Sequence, residues 1–306
     1  MSSTSRLDWL LFIALGGMWG SSYLFIKFGV DEGLTPFTLI AGRLGIGLIL
    51  LVAVVALARE RLPREGRIYG HLVVMSLVNI VIPFFLITSA EKTVDSALAS
   101  IINATVPLFA IVIAAFVLHD EPLTVNRVVG LGVGFIGVVI LTGGSLGAGG
   151  DLVGQLALLA SALSYGAGVV YARRNMRGIR PMIPALFQVG FAFVISAALA
   201  LVLEHPLALT ITPKAWFSVV WLGILGSGFA YLVSFRLLAR WGATRTSMVA
   251  YLLPVVGITL GVWLGDETIG LAVIVGTLLV VGGVALANSR LGNRRLFGRT
   301  PPVEVG

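Results

Sequence analysis

Residues 107–138 read PLFAIVIAAFVLHDEPLTVNRVVGLGVGFIGV, and residues 254–284 read PVVGITLGVWLGDETIGLAVIVGTLLVVGGV. The same markers recur in the same order: a proline, an Asp-Glu pair, a glycine and a Gly-Val step. Asp120-Glu121, Gly130 and Gly137-Val138 stand 146 residues ahead of Asp266-Glu267, Gly276 and Gly283-Val284. Upstream, Trp19-Gly20 faces Tyr165-Gly166 and Lys27 faces Arg173 at that offset, while Pro36 with Arg43 faces Pro181 with Gln188 at 145. Long apolar passages repeated in order are the mark of a duplicated helical bundle.

Composition confines that bundle to a membrane. The chain is 58% hydrophobic and 11% charged, with a mean hydropathy of +1.02, far from the mix of a soluble domain. A length of 306 residues would suit two soluble domains, but the charges cluster between apolar runs, which excludes a water-exposed surface over most of the chain. The absence of cysteine excludes disulfides, thiol catalysis and thiolate metal sites. The first apolar run, 9–30, is too long for a signal-peptide core of about 7–15 residues and belongs to the repeat, so it reads as the first spanning helix.

Runs of about 17–25 apolar residues cross a bilayer as helices. Ten are predicted: 8–29, 36–57, 69–90, 96–118, 127–144, 152–172, 181–203, 216–238, 246–264 and 268–288. The fold class is an all-α membrane protein, with a first five-helix repeat in 1–150, a second, inverted one in 151–289 and a basic, disordered tail in 290–306. The inversion follows from counting. Five is odd, so the second copy enters from the opposite face. Lys and Arg set the direction. With the N-terminus in the cytoplasm, that side holds Arg6, Arg59, Arg61, Arg64, Arg67, Arg127, Arg173, Arg174, Arg177, Arg180, Arg236, Arg240, Arg245, Arg290, Arg294, Arg295 and Arg299. The other side holds Lys27, Lys92 and Lys214, so both termini are placed in the cytoplasm. The net charge of +7 is then a topology signal, and nucleic acid is not expected as a partner. Trp9, Trp241, Trp216 and Trp263 fall at predicted interfaces, whereas Trp19 and Trp221 lie well inside their spans.

Helical spacing shows which spans present polar faces. Span four carries Ser96, Ser100, Asn103 and Pro107 on one face, and span nine carries Thr244, Ser247, Tyr251 and Pro254. Span three offers Ser76, Asn79 and Pro83, and span eight offers Ser227, Tyr231 and Ser234. Span one brings Trp19, Ser22 and Tyr23, and span six Ser161, Ser164 and Tyr165. Such residues in membrane helices often only bond neighbouring helices. Whole faces repeated in equivalent spans point instead to a lined path between the halves, where the sites of duplicated carriers lie. Spans five and ten, rich in glycine (Gly130, Gly132, Gly134 and Gly137; Gly276, Gly282 and Gly283), read as close-packing scaffold, and Gly257 with Gly261 has helix-packing spacing. Pro107 and Pro254, read as helix-interior prolines, free the carbonyls of Asn103 and Ala250, and with Pro83 they are candidate hinges.

Arg43 sits about two turns inside span two, where an unpaired charge is costly. It can pair with helix carbonyls or with Asp31, Glu32 or another acid, or it can serve as counter-charge for a substrate carboxylate. Lys27 lies nearer the interface and can snorkel to water. No Asp or Glu falls well inside any span, and His71, His119 and His205 lie near span ends. No proton-coupling carboxylate is evident, so facilitated or weakly coupled movement is expected. Gly132-x-Gly134-x-x-Gly137 matches a dinucleotide fingerprint but lies inside an apolar span with no strand before it. No HExxH, GxSxG or paired-Asp arrangement is present, so membrane-enzyme chemistry has no candidate and the chain reads as a non-enzyme.

The chain resembles the drug/metabolite transporter superfamily, in its ten-helix EamA-type branch. The resemblance rests on Trp19-Gly20, on Pro36 with Arg43 and on the two Pro…Glu…Gly…Gly-Val strings, and covers about residues 9–288. It departs at Ser164-Tyr165-Gly166, which replaces a second Trp-Gly. Spans nine and ten contain no Lys or Arg, unlike the superfamily's sugar-phosphate and nucleotide-sugar exchangers. The resemblance implies a multi-pass inner-membrane (plasma-membrane) exporter of small metabolites by alternating access, similar to the aromatic amino-acid exporters. A multidrug or organic-cation exporter and, from another class, a channel-like pore are the alternatives. Trp19, Tyr23, Tyr165, Tyr231 and Tyr251 are the candidates to pack a substrate side chain. Asn79, Ser100, Asn103 and Ser247 are the candidates to hydrogen-bond it, with Arg43 for its carboxylate. The expected partners are a small-molecule substrate and the lipid bilayer, with no cofactor or metal, in a monomer or homodimer.

Overall fold

The computed structural model describes residues 6–59, 62–118, 123–147, 151–176, 179–180, 182–289 and 295–297. Among these, nine helices are long and apolar enough to cross a membrane, and the shorter Met248–Leu264 supplies a tenth. The spans are α1 (Arg6–Asp31), α2 (Pro36–Leu57), α3 (Gly66–Ala90), α4 (Ser96–Val117), α5 (Val125–Gly147), α6 (Leu152–Asn175), α7 (Met182–Leu203), α8 (213–246), α9 (247–264) and α10 (Leu271–Asn288). Nine of the ten predicted spans match these within a few residues. The exception is α8, which continues past the predicted end at 238 to Thr246 and passes directly into α9. Its extension carries Arg240 and Arg245. Arginine is a good helix former, so hydropathy marks the membrane edge there and not the helix end.

The arrangement is that of a two-fold exchange. α2 packs on α7, α4 on α9 and α5 on α10, each a span against its own repeat counterpart. α1 packs on α8 and α9 just as α6 packs on α3 and α4, and α2 meets α8 as α7 meets α3. Swapping the halves maps this set onto itself.

The seam between α5 and α10 shows what holds it. A Cβ built on Gly130 would lie 2.6 Å from the Gly283 carbonyl oxygen, and one on Gly283 would lie 2.5 Å from the Gly134 nitrogen. One turn-pair away, a Cβ on Gly137 would lie 2.8 Å from the Gly276 oxygen and one on Gly276 3.0 Å from the Gly137 oxygen. Backbone touches backbone, so glycine is required at both pairs, as in close-packed membrane helices. Gly132 and Gly282, also read as scaffold, face open space instead. Gly257 and Gly261 do pack on α4, against Ser100 and Ala97.

Four spans depart from regular helix, in matching places. α3 passes through a π-helical stretch at Leu77–Val81, and α8 through one at Leu222–Phe229. α4 is interrupted between Asn103 and Val106, and α9 opens with a 3-10 stretch, Ser247–Tyr251. Contrary to the helix-interior placement expected for Pro107 and Pro254, the prolines stand near helix starts. Pro83 and Pro107 stand in the first two positions of the renewed α-helix, and Pro254 is the third residue of Leu252–Leu264. A proline at a helix start loses no hydrogen bond, so each marks where the helix restarts.

Helix starts at one end of the bundle are tied across the halves. The Glu204 carboxylate, just past α7, accepts from Phe37 N at 2.9 Å and Thr38 N at 2.8 Å on the first turn of α2. Glu267, between α9 and α10, accepts from Ser96 N at 2.7 Å, Ser96 Oγ at 2.6 Å and Ala97 N at 2.9 Å at the start of α4. Carboxylates satisfy free N–H groups and meet the positive end of the helix dipole. Asp151 caps its own helix α6 and accepts from Thr93 Oγ1 in the loop before α4. At the opposite end Asp8 pairs with Arg240 at 3.3 Å, and His71 Nδ1 lies 2.7 Å from the Tyr171 hydroxyl. In the tail, Arg295–Phe297 pairs antiparallel with Leu123–Thr124, so these three residues are ordered by backbone pairing where disorder was predicted.

Candidate functional site

Arg43 stands at the centre of the seam between the halves. It is 3% exposed, and its Nε donates to Ser227 Oγ at 3.2 Å, on the π-helical stretch of α8. Its guanidinium lies over the Phe84 ring, 4.4 Å from the centroid. Gly226 makes the room, since a Cβ there would lie 3.0 Å from Nη2 and 2.9 Å from Ser22 Oγ. Tyr23, Tyr165, Tyr231 and Glu91 all lie within electrostatic reach of the guanidinium. Trp19 meets Tyr231 edge-on at 6.4 Å. The aromatic residues of α1, α6 and α8 are thus gathered around one buried cation.

Among the described residues that cation has no ionic partner. Asp31 holds Lys27 at 2.9 Å, and Glu32 holds Lys214 at 3.7 Å and Thr212 Oγ1 at 2.7 Å, so neither reaches Arg43. Among the described residues no carboxylate lies within ion-pair distance, and the terminal guanidinium nitrogens donate to no side chain or carbonyl. A guanidinium has five N–H donors in a fork that fits a carboxylate, and a ring face and one hydroxyl satisfy only part of it. The arrangement is chemically incomplete toward an anion.

The repeat counterpart of Arg43 is Gln188 on α7. Its Oε1 accepts from Asn79 Nδ2 at 3.4 Å, on the π-helical stretch of α3. Each π stretch therefore presents a polar partner to the repeat-equivalent span of the other half. π-bulges widen a helix and re-aim a side chain, and are frequent at functional sites. Ser164 Oγ donates to the Val78 carbonyl at 2.7 Å, satisfying part of the altered ladder.

The remaining predicted residues lie elsewhere. Ser100 is buried against Gly257 and bonds the Ala97 carbonyl at 2.7 Å, a helix-packing position. Asn103 Oδ1 accepts from Ser161 Oγ at 3.1 Å, and its Nδ2 is buried without a partner beside the break in α4. Tyr251 OH accepts from Asn288 Nδ2 at 3.1 Å, at the end of α10. The Ser247 side chain lies outside the described residues, as do Asp120-Glu121 and Pro181. Among the described residues no group of three or more His, Asp or Glu side chains gathers as metal ligands.

Two features were missed in the sequence. Phe84 completes the Arg43 setting, and nothing in an apolar run singles it out. Glu91 stands one residue past α3 and by hydropathy belongs to a span end, yet it is fully buried. Neither of its carboxyl oxygens has a hydrogen-bond partner.

Comparison with known proteins places this architecture. A family model described as the EamA-like transporter family matches the chain twice, over residues 7–143 and 152–289. The Bacillus subtilis transporter YoaV is 26% identical, with 91% of this chain and 96% of that protein covered. The Escherichia coli inner membrane transporter YedA is 29% identical over 84% and 82%. A Salmonella typhimurium protein named "Probable amino-acid metabolite efflux pump" is 26% identical over 92% and 94%. A solved crystal structure is similar at a TM-score of 0.66 and 25% identity, covering 93% of this chain and 97% of its own.

Proposed function

Because the chain belongs to the EamA-like transporter family, we propose that it exports small metabolites bearing a carboxylate, foremost amino acids with aromatic or other hydrophobic side chains. The observation that carries this reading is Arg43, buried without an acid and ringed by Trp19, Tyr23, Tyr165 and Tyr231. A substrate carboxylate completes the guanidinium's donors, and the rings pack its side chain. The Salmonella relative's printed name fits this substrate class. A bare organic cation would meet a fixed positive charge in the same place, which disfavours the multidrug alternative.

Transport follows from the duplicated frame. The two halves rock about the paired breaks in α3, α4, α8 and α9, exposing the Arg43 site to each face in turn. The inner membrane is the location, as the name of the Escherichia coli relative suggests, with the arginine-rich end and both termini in the cytoplasm. The Glu204 and Glu267 caps then lie on the external side.

The test is counterflow and efflux from proteoliposomes, using a panel of aromatic, aliphatic, acidic and basic amino acids with one quaternary ammonium cation. Saturable efflux of neutral amino acids with trans-stimulation is expected. Transport of the cation alone would overturn the substrate class, and flux without trans-stimulation would make the protein a pore.

A further inference from the structure

Two carboxyls lie within electrostatic reach of each other at the end of the bundle tied by helix caps, and they are treated in opposite ways. Glu267 accepts three hydrogen bonds from Ser96 and Ala97, at 2.6–2.9 Å, and so joins the second half to the first helix turn of α4. Its loop turns through Asp266, whose φ of 53° is left-handed, a conformation that Asp tolerates better than most residues. Glu91 is 0% exposed and neither oxygen has a partner. A bare buried carboxylate costs far more than a bare buried acid, so Glu91 holds its proton in this arrangement. Burial pushes its pKa well above the usual carboxylate range, and the Glu267 charge raises it further.

The groups that face it come from several elements. α1 brings Tyr23, Lys27 and Asp31, α2 brings Arg43, and the loop before α10 brings Glu267. Asp151 of α6 is bound to Thr93, two residues along the same loop. Lys27 and Arg43 favour the ionised form, but Lys27 is engaged by Asp31 and Arg43 by Ser227, and neither forms an ion pair with Glu91.

We propose that Glu91 is a proton-binding site that latches this end of the transporter: protonated, it stays buried beneath the Glu267 cap, and ionised, it requires this end to open so that water can reach it. The proposal rests on the reading of the chain as a carrier whose ends open alternately. It replaces the expectation of a carrier without a usable carboxyl. In the open form Glu91 ionises near the ordinary value of about 4.3. Between that value and the raised value of the closed form, the closed form holds the extra proton. Rising pH on this side therefore favours opening, by up to about tenfold per pH unit, and the gain ends above the closed-form value. Acid on this side closes the gate.

The chain has no cysteine, so a single introduced one reports alone. Leu98→Cys on α4 places a thiol at a position 8% exposed, one residue past the Glu267 cap. The full-length protein in proteoliposomes is labelled with a membrane-impermeant maleimide, from each face, between about pH 5.5 and about pH 8.5. The rate ratio of L98C to L98C/E91Q at each pH cancels the thiol's own titration. The ratio is expected to rise about tenfold or more across this range, from one face only, and Glu91→Asp keeps the rise. A flat ratio overturns the latch. If Glu91→Gln does not fold, hydrogen exchange of the first turn of α4 in the unaltered chain decides. Opening that increases with pH, after correction for intrinsic exchange, supports the latch, and constant protection overturns it. A pH-dependent ratio without amino-acid transport would leave the latch standing and remove the substrate assignment. Transport with a flat ratio would do the reverse.

Discussion

Arg43 and Gln188 occupy the same place in the two halves and do different things. Both lie on the second span of their repeat, seven residues after Pro36 and Pro181, and both meet a π-helical stretch of the opposite half. Gln188 finds a neutral amide, Asn79, and the exchange of one acceptor for one donor completes the contact. Arg43 finds one hydroxyl and a ring face, and is left with a full charge and unused donors. On the proposed reading, the symmetric frame lets each half do at one face what the other does at the opposite face. The asymmetric chemistry then matches a substrate with a single carboxylate. The proposed site sits where the duplicated sequence stops matching.

The most direct way to erase the difference is Arg43→Gln, which gives both halves the same residue type. The buried charge would be gone, and an amide cannot replace a guanidinium fork. Loss of a charge-assisted pair of about 2–3 kcal/mol weakens substrate affinity on the order of 100-fold, readable as KM in counterflow. Folding is expected to hold or improve, since an unpaired buried charge is itself costly, so Tm by differential scanning should not fall. Arg43→Lys keeps charge without the planar fork and should fall between. Unchanged affinity in the Gln variant, with the protein folded, would remove Arg43 from the site.

How much of this was legible in the sequence depends on the range of the cause. The repeat, the spans and the charged intruder Arg43 could be read because hydropathy, order and spacing are local properties. The π stretch Leu77–Val81 is marked by no residue type beyond Asn79, and the glycines of Leu222–Phe229 look in the sequence like the packing glycines of other spans. Glu91 was passed over because its burial is a tertiary property, and the charge that faces it, Glu267, lies 176 residues away in the sequence. Ser100 and Asn103 share a helical face with each other, as spacing requires, but that face packs against Gly257 and Ser161. Periodicity fixes which residues share a face, and tertiary packing alone decides what the face meets.

The glycine seam tests the symmetric side of the comparison. Gly130→Ala and Gly283→Ala each drive a methyl into backbone of the partner helix, at 2.5–2.6 Å, with no flexible side chain to yield. Each should cost about 1–3 kcal/mol and lower Tm by several degrees, with the two variants nearly equal because the seam is two-fold. Gly132→Ala and Gly282→Ala, facing open space, should stay within about 0.5 kcal/mol of the parent. Substrate KM should be unmoved in all four. Unequal effects at Gly130 and Gly283 would mean that the halves do not share this load evenly.

The smallest effect is expected at the neutral counterpart of Arg43. The Asn79–Gln188 bond is 3.4 Å long, near the limit at which an N–H···O contact still contributes. Side-chain hydrogen bonds between membrane helices average about 0.6 kcal/mol even at good geometry. Asn79→Ala, Gln188→Ala and the double variant should therefore give a coupling energy below about 1 kcal/mol in thermal unfolding, and the KM of each should change less than about fivefold. The same cycle on Arg43 and Ser227 should show strong coupling in substrate affinity, because Ser227 aims the guanidinium. If Asn79 proved as costly as Arg43, the neutral pair would belong to the binding site as well. Substrate recognition would then follow the symmetry of the fold instead of its break.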